Sequence, residues 1–468
     1  MAWLFVTDRK RHGNVSGALW IPLMWAIILG SRPVSLWFGM NQQVETTDAY
    51  VEGSPFDRLV FLLLLGVGCA ILATRRVPWR RLIRNNLWIF VFFVFLGISA
   101  AWSDYPFVSF KRWVKEVGSV VMILIVLTED KPIEAFRALL ARCTYVLVPL
   151  NVLLVKYYPD IGRYYNRWTY QPYFGGVTMD KNLLGMTLCV WGVSLCWIFL
   201  ELRDEKAMTR GKTEMLGFFP LMPASFWLLF KSQSSTALAC TILGCGILLA
   251  VRLPVVRTRL HRIGVYSFAT VLLMVLLQMI FNLGELFTGI LGRDLTLTGR
   301  TDIWQAVLNE PINPLLGTGY YSFWLGDRVE RVSANFYYQL NEAHNGYLET
   351  YLNNGLIGLF LLVILLVSAA RQTWKQLTLG SNYGALRLAF LVTSVIYGMT
   401  EAVFRFGLIW FVLLFVILDY PFVKMAAVAN RRQPLRKSSR EPQPGRPWIQ
   451  GHAEGRGLSR VPAWSAGG

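Results

Sequence analysis

Apolar stretches long enough to cross a lipid bilayer recur along almost the whole chain, and they restrict the folds available to it. A spanning helix needs about 20 mostly apolar residues. The chain is 54% hydrophobic and only 16% charged, which is too apolar for one water-soluble core. We therefore expect an all-α polytopic membrane protein with about 12 transmembrane helices. The predicted spans are residues 18–38, 59–74, 87–102, 113–128, 137–156, 182–200, 215–230, 236–251, 263–281, 355–370, 386–402 and 406–423.

The net charge of +18 is explained by where Lys and Arg fall relative to the predicted spans. Lys and Arg are enriched in cytoplasmic loops. With the N-terminus inside and the spans alternating, most basic residues fall on the inner side, including "TRRVPWRRLIR" and "VRLPVVRTRLHR". Both termini are then cytoplasmic. The basic charge is explained by orientation, so we expect no nucleic-acid partner.

Cysteine and histidine usage points away from disulfides and metal. The six cysteines lie in or beside predicted spans, so no disulfide is expected. Three of the four histidines, His12, His261 and His452, fall in predicted cytoplasmic segments, and we recognise no metal-ligand cluster. The start "MAWLFVTDRKRHGNVSG" is charged and lacks a small-residue cleavage site, so we expect no removable signal peptide.

The chain divides into five predicted parts, and the outer loops stand out. A loop of about 70 residues lies between the ninth and tenth spans, and loops this long are usually functional or disordered. Its aromatic content argues against disorder. The parts are a cytoplasmic N-terminus (1–17), spans one to nine with an outer loop at 157–181 (18–281), a large outer loop expected to carry the chemistry (282–354), spans ten to twelve (355–423) and a disordered basic tail (424–468).

Two short helices are predicted in the large loop. "TGRTDIWQAVLNEPINP" reads as a helix capped by Thr301 or Asp302. Its apolar face would be Ile303, Trp304, Val307 and Leu308. The second helix follows His344 and Asn345, and "NNG" ends it before the tenth span. Its apolar face would be Tyr347, Leu348, Tyr351 and Leu352.

Arg300 and His344 are the strongest candidates for chemistry. Arg300 starts the first loop helix, where free N–H groups attract anions, and its guanidinium suits a phosphate or pyrophosphate. The alternative is an arginine that reaches lipid phosphates. His344 is the one histidine predicted outside, and its ordinary pKa near 6.5 suits proton removal from a sugar hydroxyl. The alternative is a helix-capping or interfacial histidine.

Other outer polar residues allow two interpretations each. In "RYYNRW", Arg163 and Arg167 could support a saccharide-stacking platform or belong to an aromatic belt at the interface. Lys181 follows Asp180 at the start of the sixth span, and Arg32 lies near the outer end of the first; charges at spans are functional candidates. The spacing of Glu401 and Arg405 fits a simple i,i+4 ion pair.

Taken together, these segments resemble the O-antigen ligase and polymerase family of bacterial membrane glycosyltransferases. The resemblance is strongest from "TLTGRTDIWQAVLNEPINPLLGTGYYSFW" to "EAHNGYLETYLNNGLIGL" and covers about residues 18–423. Supporting segments are "AWSDYPFVSFKRWVKE", "GGVTMDKNLLG" and "SQSSTALA". The "TLTGRTDIW" and "GYYSFW" forms are most similar to the exopolysaccharide polymerase branch.

The resemblance implies an enzyme of GT-C-like architecture at the outer face of the bacterial inner membrane. Such enzymes move a glycan from an undecaprenyl pyrophosphate carrier to an acceptor hydroxyl, without a metal or another cofactor. Arg300 would hold the pyrophosphate and His344 would be the general base. Members often carry a basic residue where this chain has Ser235. Either another cation, such as Lys231, Arg163, Arg167 or Lys181, supplies that charge, or this protein binds its donor differently. The candidate substrate-binding residues are Arg32, Arg163, Arg167, Lys181, Lys231, Trp304, Asn345 and Tyr347.

Several functions fit this pattern. The leading one is polymerisation of lipid-linked oligosaccharide repeat units, with membrane lipids, a chain-length regulator and other polysaccharide assembly proteins as partners. A ligase that moves a finished glycan to lipid A core or another acceptor is the nearest alternative. A transporter or flippase of the lipid-linked glycan would instead place polar groups at mid-membrane on broken helices. A non-catalytic assembly protein would tolerate loss of His344.

Overall fold

The computed structural model describes residues 4–6, 8, 15–40, 54–165, 171–204, 217–258, 300–334, 336–337 and 339–420. Within these residues the protein is mostly helical, as predicted, with one short β-hairpin that the sequence did not indicate. The predicted ninth span, residues 282–299 of the large loop and the tail at 424–468 lie outside the described residues. The candidate Arg167 also lies outside them.

The described helices and strands follow one another along the chain in this order. The first half contains α1 (Trp20–Leu29), α2 (Val34–Trp37), α3 (Pro55–Thr74), α4 (Trp79–Asn85), α5 (Leu87–Ile98), α6 (Pro106–Leu127), α7 (Pro132–Tyr157), α8 (Pro159–Gly162), β1 (Arg163–Tyr165), β2 (Pro172–Phe174) and α9 (Lys181–Asp204). The second half contains α10 (Leu221–Lys231), α11 (Ser235–Ala250), α12 (Pro254–Thr258), α13 (Arg300–Leu308), α14 (Asp327–Ser333), α15 (Gly346–Thr378), α16 (Asn382–Tyr397) and α17 (Leu408–Ile417). Short 3₁₀ turns at Gly17–Leu19 and Ser99–Trp102 adjoin α1 and α5.

Among the described helices, four are long and apolar enough to cross a membrane, namely α3, α7, α9 and α15. The pair α4 and α5, bent by 90°, makes a fifth if it is counted as one span. Shorter apolar helices are Gly17–Leu29, α10, α11 and α17. This composition indicates a multi-pass membrane protein, whereas the number of twelve spans stays a prediction.

The first predicted span is not one helix. Residues 18–38 divide into α1, which ends at Leu29, and the single turn α2. Pro33 lies immediately before α2, where its missing N–H and fixed φ prevent the preceding turn from continuing. The periodicity alone did not reveal this interruption.

The last two predicted spans are also shorter than predicted. In the span at 386–402, α16 ends at Tyr397, and in the span at 406–423, α17 covers only Leu408–Ile417. The residues between them form an irregular segment that is buried from Glu401 to Phe404. The prediction extended the eleventh span to Ala402, whereas residues 398–402 follow the end of α16, and Ala402, Val403 and Phe404 are buried outside any helix.

Helix α15 is broken at Gly355, which has φ 64° and ψ −167°. A side chain there would bring its Cβ to 2.2 Å from the Leu315 carbonyl, so the close approach requires glycine. Beyond the break, the N–H groups of Leu356 and Ile357 donate to the carbonyls of Pro314 and Leu315, at 2.9 and 3.2 Å. The prediction that "NNG" ends a short helix before the tenth span is confirmed, and the large loop supplies the hydrogen bonds at the break.

The described part of the large loop has an apolar core of its own. Ile303 and Val307 of α13 are buried with Phe323, Val329 and Leu352 in this core. The expectation that aromatic residues order this loop is therefore confirmed for the described residues. The core holds α13 above the first turns of α15.

Helix α13 differs in detail from its prediction. It begins at Arg300, so Thr301 and Asp302 lie within its first turn and do not cap it. Leu308 is 57% exposed, which narrows the predicted apolar face. Trp304 is half-buried, and its indole Nε1 donates to the carbonyl of Ala343 at 2.8 Å. That bond ties α13 to the residue before His344.

Candidate functional site

Glu401 joins the two residues predicted to be catalytic. The Nη2 of Arg300 donates to Glu401 Oε1 at 2.8 Å. The Nδ1 of His344 lies 3.1 Å from Oε2 of the same carboxylate. Glu401 is nearly buried, with 6% of its side chain exposed. The structure therefore brings Arg300 and His344 together, through a residue that sequence reasoning did not include in the site.

Glu342 and Arg405 lie on the other side of His344. The Nδ1 of His344 is 3.0 Å from Glu342 Oε1. The second oxygen of Glu342 accepts a hydrogen bond from Arg405. The predicted i,i+4 pair of Glu401 with Arg405 would need a helix through both residues, and α16 ends before them. Arg300, Glu342, His344, Glu401 and Arg405 are together called the charge cluster below.

His344 is held in a strained backbone conformation by its neighbours. Its φ of 49° lies in the left-handed region that non-glycine residues rarely adopt. The next residue, Asn345, caps α15 by accepting from the N–H of Tyr347 at 3.0 Å. The N–H of Gly346 donates to the carbonyl of Gly398 at 2.7 Å. Strain that is fixed from both sides is typical of functional positions.

Two further non-glycine residues of the described chain share this conformation. They are Gln233, with φ 52°, and Tyr321, with φ 59°. All three lie in segments that carried the family resemblance, namely "SQSSTALA", "GYYSFW" and "EAHNGYL". The described chain thus concentrates this kind of strain in those motifs.

The two glutamates change the protonation of His344. Burial alone would lower the pKa of His344, but hydrogen bonds and negative charge from Glu342 and Glu401 outweigh it and raise the pKa to about 10. Glu342 is half-buried, and although desolvation raises the pKa of its carboxyl, Arg405 and His344 hold that pKa below its usual range. His344 is therefore protonated at neutral pH in this arrangement. A role as general base requires that this proton leave first.

Glu342, His344 and Glu401 could also hold a metal ion by geometry alone. One ligand atom from each lies within 4.8 Å of the others. Their separation in sequence hid this grouping, and His344 alone gave no metal signal. Both carboxylates already bind arginines, and His344 would have to lose its proton to become a ligand. Their chemistry fits a network of paired charges better than a metal centre.

A second group of cations surrounds the β-hairpin. Arg163 lies over the Phe174 ring, with 5.6 Å from its guanidinium carbon to the centroid. The Nζ of Lys231 lies 5.5 Å from the same ring, and that of Lys181 lies 4.3 Å from the Tyr173 ring. In the described part of the chain, no ion pair to a carboxylate involves these three residues. We call Arg163, Lys181 and Lys231 the hairpin cations.

Asp180, the residue before one of the hairpin cations, interacts electrostatically with the charge cluster. Asp180 precedes Lys181, and its Oδ1 accepts from the N–H groups of Asn182 and Leu183 at 2.8 and 2.9 Å. Burial raises the pKa of Asp180, and the negative charges of Glu342 and Glu401 act in the same direction. The start of α9 is therefore within electrostatic reach of the charge cluster. Ser235, which replaces the expected basic residue, begins the next helix but one, α11.

Arg32 has a structural role in this arrangement. Its guanidinium donates to four backbone carbonyls, from Ile161, Gly176, Val177 and Thr178, at 2.7 to 3.3 Å. These bonds fasten the end of α1 to the loop that follows the hairpin. Arg32 therefore shapes the surroundings of the hairpin cations, and its Nε and Nη2 donors are already committed.

Three other predicted binding residues have structural partners. Trp304 binds the Ala343 carbonyl, and Asn345 caps α15. The hydroxyl of Tyr347 donates to the carbonyl of Val395 at 2.9 Å and so docks α15 on α16. These residues position His344, and a direct role in substrate binding stays a prediction.

Comparison with known proteins agrees with the motifs. Residues 221–363, which include Arg300 and His344, match the O-antigen ligase family. Over 312 residues the chain is 28% identical to the exopolysaccharide production protein ExoQ of Rhizobium meliloti (strain 1021), an alignment that covers 64% of this chain and 69% of that protein. The resemblance to the O-antigen ligase and polymerase family is confirmed. Glu401 and Arg405 lie beyond residues 221–363, the stretch that matches the family.

Proposed function

We propose that the protein is a membrane glycosyltransferase that polymerises undecaprenyl-pyrophosphate-linked oligosaccharide repeat units at the outer face of the bacterial inner membrane. The observation that carries this proposal is the contact of Arg300 and His344 with the single carboxylate of Glu401. One residue suited to phosphate and one suited to proton transfer are thereby held within one site. The similarity to an exopolysaccharide production protein favours polymer as the product.

Arg300 is the proposed receptor for the pyrophosphate. Among the described residues its ion-pair partner is Glu401, which uses one guanidinium nitrogen, so further N–H groups remain for phosphate oxygens. A guanidinium binds phosphate oxygens in a bidentate manner, and its charge stabilises the leaving group as negative charge develops there. The carboxylate of Glu401 fixes the guanidinium before the substrate arrives.

We propose that His344, positioned by Glu342 and Glu401, removes the proton of the acceptor hydroxyl. An acceptor hydroxyl becomes a nucleophile as its proton is removed. Since His344 is protonated in the free protein, it acts as a base only after it has lost a proton. While protonated, it adds positive charge beside the departing pyrophosphate. The attack forms one glycosidic bond and breaks the bond between the sugar and the pyrophosphate.

The proposed reaction uses no metal. A lipid pyrophosphate is already a good leaving group, and two arginines and an imidazolium supply positive charge at the site. The hairpin cations are proposed to supply the charge that family members often carry at the position of Ser235. The proposal includes the twelve predicted spans, the GT-C-like architecture, cytoplasmic termini and a chain-length regulator as partner.

A ligase is the second candidate. The stretch at 221–363 matches a family described as O-antigen ligase, and a ligase would use the same donor chemistry. The two activities differ in the acceptor: a polymerase joins repeat units to one another, whereas a ligase needs a separate lipid or protein acceptor. A transporter is less well supported, because the described strained motifs and charges gather around the outer loop.

Reconstitution tests these candidates directly. Purified protein is combined with undecaprenyl-pyrophosphate-linked repeat units from its own host, with EDTA present, and products are separated by size. We expect a ladder of multiples from the wild type and none from His344→Ala. Donor consumption only after a separate acceptor is added would establish a ligase. No consumption under any condition would contradict both candidates. A ladder that forms without EDTA but not with it would contradict a metal-independent reaction.

A further inference from the structure

Glu349, in the first turn of α15, is a buried glutamate that takes no part in the proposed reaction. The residue is only 5% exposed, and a buried carboxylate is costly unless hydrogen bonds satisfy its oxygens. Here it accepts from the N–H of Ala343 at 2.5 Å, the indole Nε1 of Trp324 at 2.9 Å and the side-chain amide of Asn353 at 3.3 Å. The carboxylate therefore joins the "GYYSFW" segment, the residue before His344 and α15.

Ala343 is held through both of its backbone polar groups. Its N–H donates to Glu349, and its carbonyl accepts from Trp304 at 2.8 Å. The next residue, His344, has the strained φ of 49°. Strain of this kind persists only where the surrounding structure fixes the backbone. Glu349 and Trp304 supply that constraint on the N-terminal side of His344.

The partners of Glu349 call for a carboxylate and not for an amide. The N–H of Ala343, the indole N–H of Trp324 and the amide of Asn353 are all donors, so both oxygens of Glu349 must accept. A glutamine has a single side-chain oxygen, and its NH₂ group would face another donor. Exchanging the carboxylate for an amide should therefore loosen the contacts while keeping the shape of the side chain.

We propose that Glu349 is a positioning residue that acts through Ala343, fixing the backbone so that the imidazole of His344 lies between Glu342 and Glu401. The importance of this position for catalysis rests on the proposed function. Glu349 differs from the two glutamates of the charge cluster, because its oxygens are already engaged by donors away from the imidazole. Its effect on the reaction is therefore through geometry and not through transfer of the proton.

Glu349→Gln tests the inference with two measurements. The transfer rate should fall about 100-fold, because a small misplacement of a reacting group is enough for a loss of that size. The donor KM should stay the same, since Arg300 is held by Glu401 and not by Ala343. Labelled-histidine NMR should show the pKa of His344 falling from about 10, because the imidazole would no longer lie against both carboxylates.

Glu129→Gln is the matched control. The side chain of Glu129 is 4% exposed, and its Oε2 also accepts from a backbone N–H, that of Ser16, at 2.9 Å. It follows the end of α6 and has no contact with the charge cluster among the described residues. Its loss should lower the Tm, while kcat and the titration of His344 stay as in the wild type.

Trp304→Phe probes the same constraint from the other side, because it removes the bond to the Ala343 carbonyl. It should shift the His344 titration in the same direction. The double variant with Glu349→Gln should lose no more activity than the weaker of the two single variants, since both act on one residue. If Glu349→Gln does not fold, the titration of Trp304→Phe decides the question.

An unchanged His344 titration in Glu349→Gln would overturn the inference, even if the rate falls. An equal shift in Glu129→Gln would overturn it as well, because the effect would then follow from any lost buried carboxylate. The titration needs no substrate, so it tests the positioning role whether or not the protein polymerises glycan. The reconstitution assay reports separately on the proposed function.

Discussion

The charge cluster and the hairpin cations place positive charge in two different ways. Arg300 and Arg405 are each bound to a glutamate, so their positions are fixed before any substrate is present. Lys181 and Lys231 instead lie over the rings of Tyr173 and Phe174. Charges held by carboxylates are suited to orienting reacting groups, whereas cations on aromatic faces keep their full charge for an anion. In the proposed function, the charge cluster would act on the reacting groups and the hairpin cations would attract the substrate.

The largest effect is expected from removing either of the two proposed catalytic side chains of the charge cluster, His344 or Arg300. His344→Ala and Arg300→Ala should each abolish polymer while leaving the protein folded in the membrane. Polymer is measured by gel and the membrane-folded fraction by detergent extraction and size-exclusion chromatography. Arg331→Ala is the control, because that loop arginine pairs with Glu310 at the surface and is 56% exposed. Wild-type polymer from either cluster variant would contradict the proposed mechanism.

Glu401→Gln is expected to reduce activity about 100-fold, because it removes the charge shared by Arg300 and His344 while keeping the shape of the side chain. It should also lower the pKa of His344 from about 10, since one of the two carboxylates that raise that pKa is gone. Labelled-histidine NMR measures the titration, and the transfer assay measures the rate. An unchanged His344 titration would show that the Glu401 contact does not exist in solution.

Removing the hairpin cations should have a smaller effect. Lys181→Met combined with Lys231→Met is expected to raise the donor KM about tenfold with little change in kcat, because the pair attracts the donor's charge without touching the reacting atoms. The effect should shrink at high salt. Lys131→Met is the control, since Lys131 belongs to an exposed i,i+3 pair with Glu134. A fall in kcat with unchanged KM would place these cations in the chemistry instead.

The smallest effect is on stability. The pKa of His344 is raised from its ordinary value near 6.5 to about 10, so its ion pairs stabilise the fold fully below about pH 6.5 and lose this contribution as the pH rises through about 10. The Tm of the wild type in detergent should fall by a few degrees more than that of His344→Gln across this interval. Parallel curves for the two proteins would rule out the proposed protonation state.

The sequence indicated Arg300 and His344 as site residues but not Glu401, the carboxylate that joins them. Arg300 and His344 were recognisable because each lies at or just before the start of a predicted short helix in a motif-rich loop. Glu401 lies 101 positions from Arg300 and 57 from His344, so no local pattern could join them. Its spacing to Arg405 instead resembled a helical ion pair, since an apolar loop between α16 and α17 has the hydropathy of a helix.

For the fold too, local sequence patterns revealed some features and missed others. The apolar periodicity predicted a mostly helical membrane protein and the position of long helices such as α7 and α9. It did not predict the hairpin of β1 and β2, which depends on tertiary contacts, or the interruption before Pro33, which the proline itself causes but hydropathy does not register. Arg32 shows why: its charge suggested a binding site, but its hydrogen bonds to four carbonyls exist only after the loop has folded around it.

The break in α15 at Gly355 bears on how a substrate can arrive. The N–H groups of Leu356 and Ile357 at the break depend on carbonyls of the large loop for their hydrogen bonds. Lifting that part of the loop away would leave these donors unpaired beside an apolar span, at a cost for each. We therefore expect the part of the loop that contacts this break to stay in place and not to open as a lid. If the donor is lipid-linked, as we propose, it would reach Arg300 from the side, with its tail still in the bilayer.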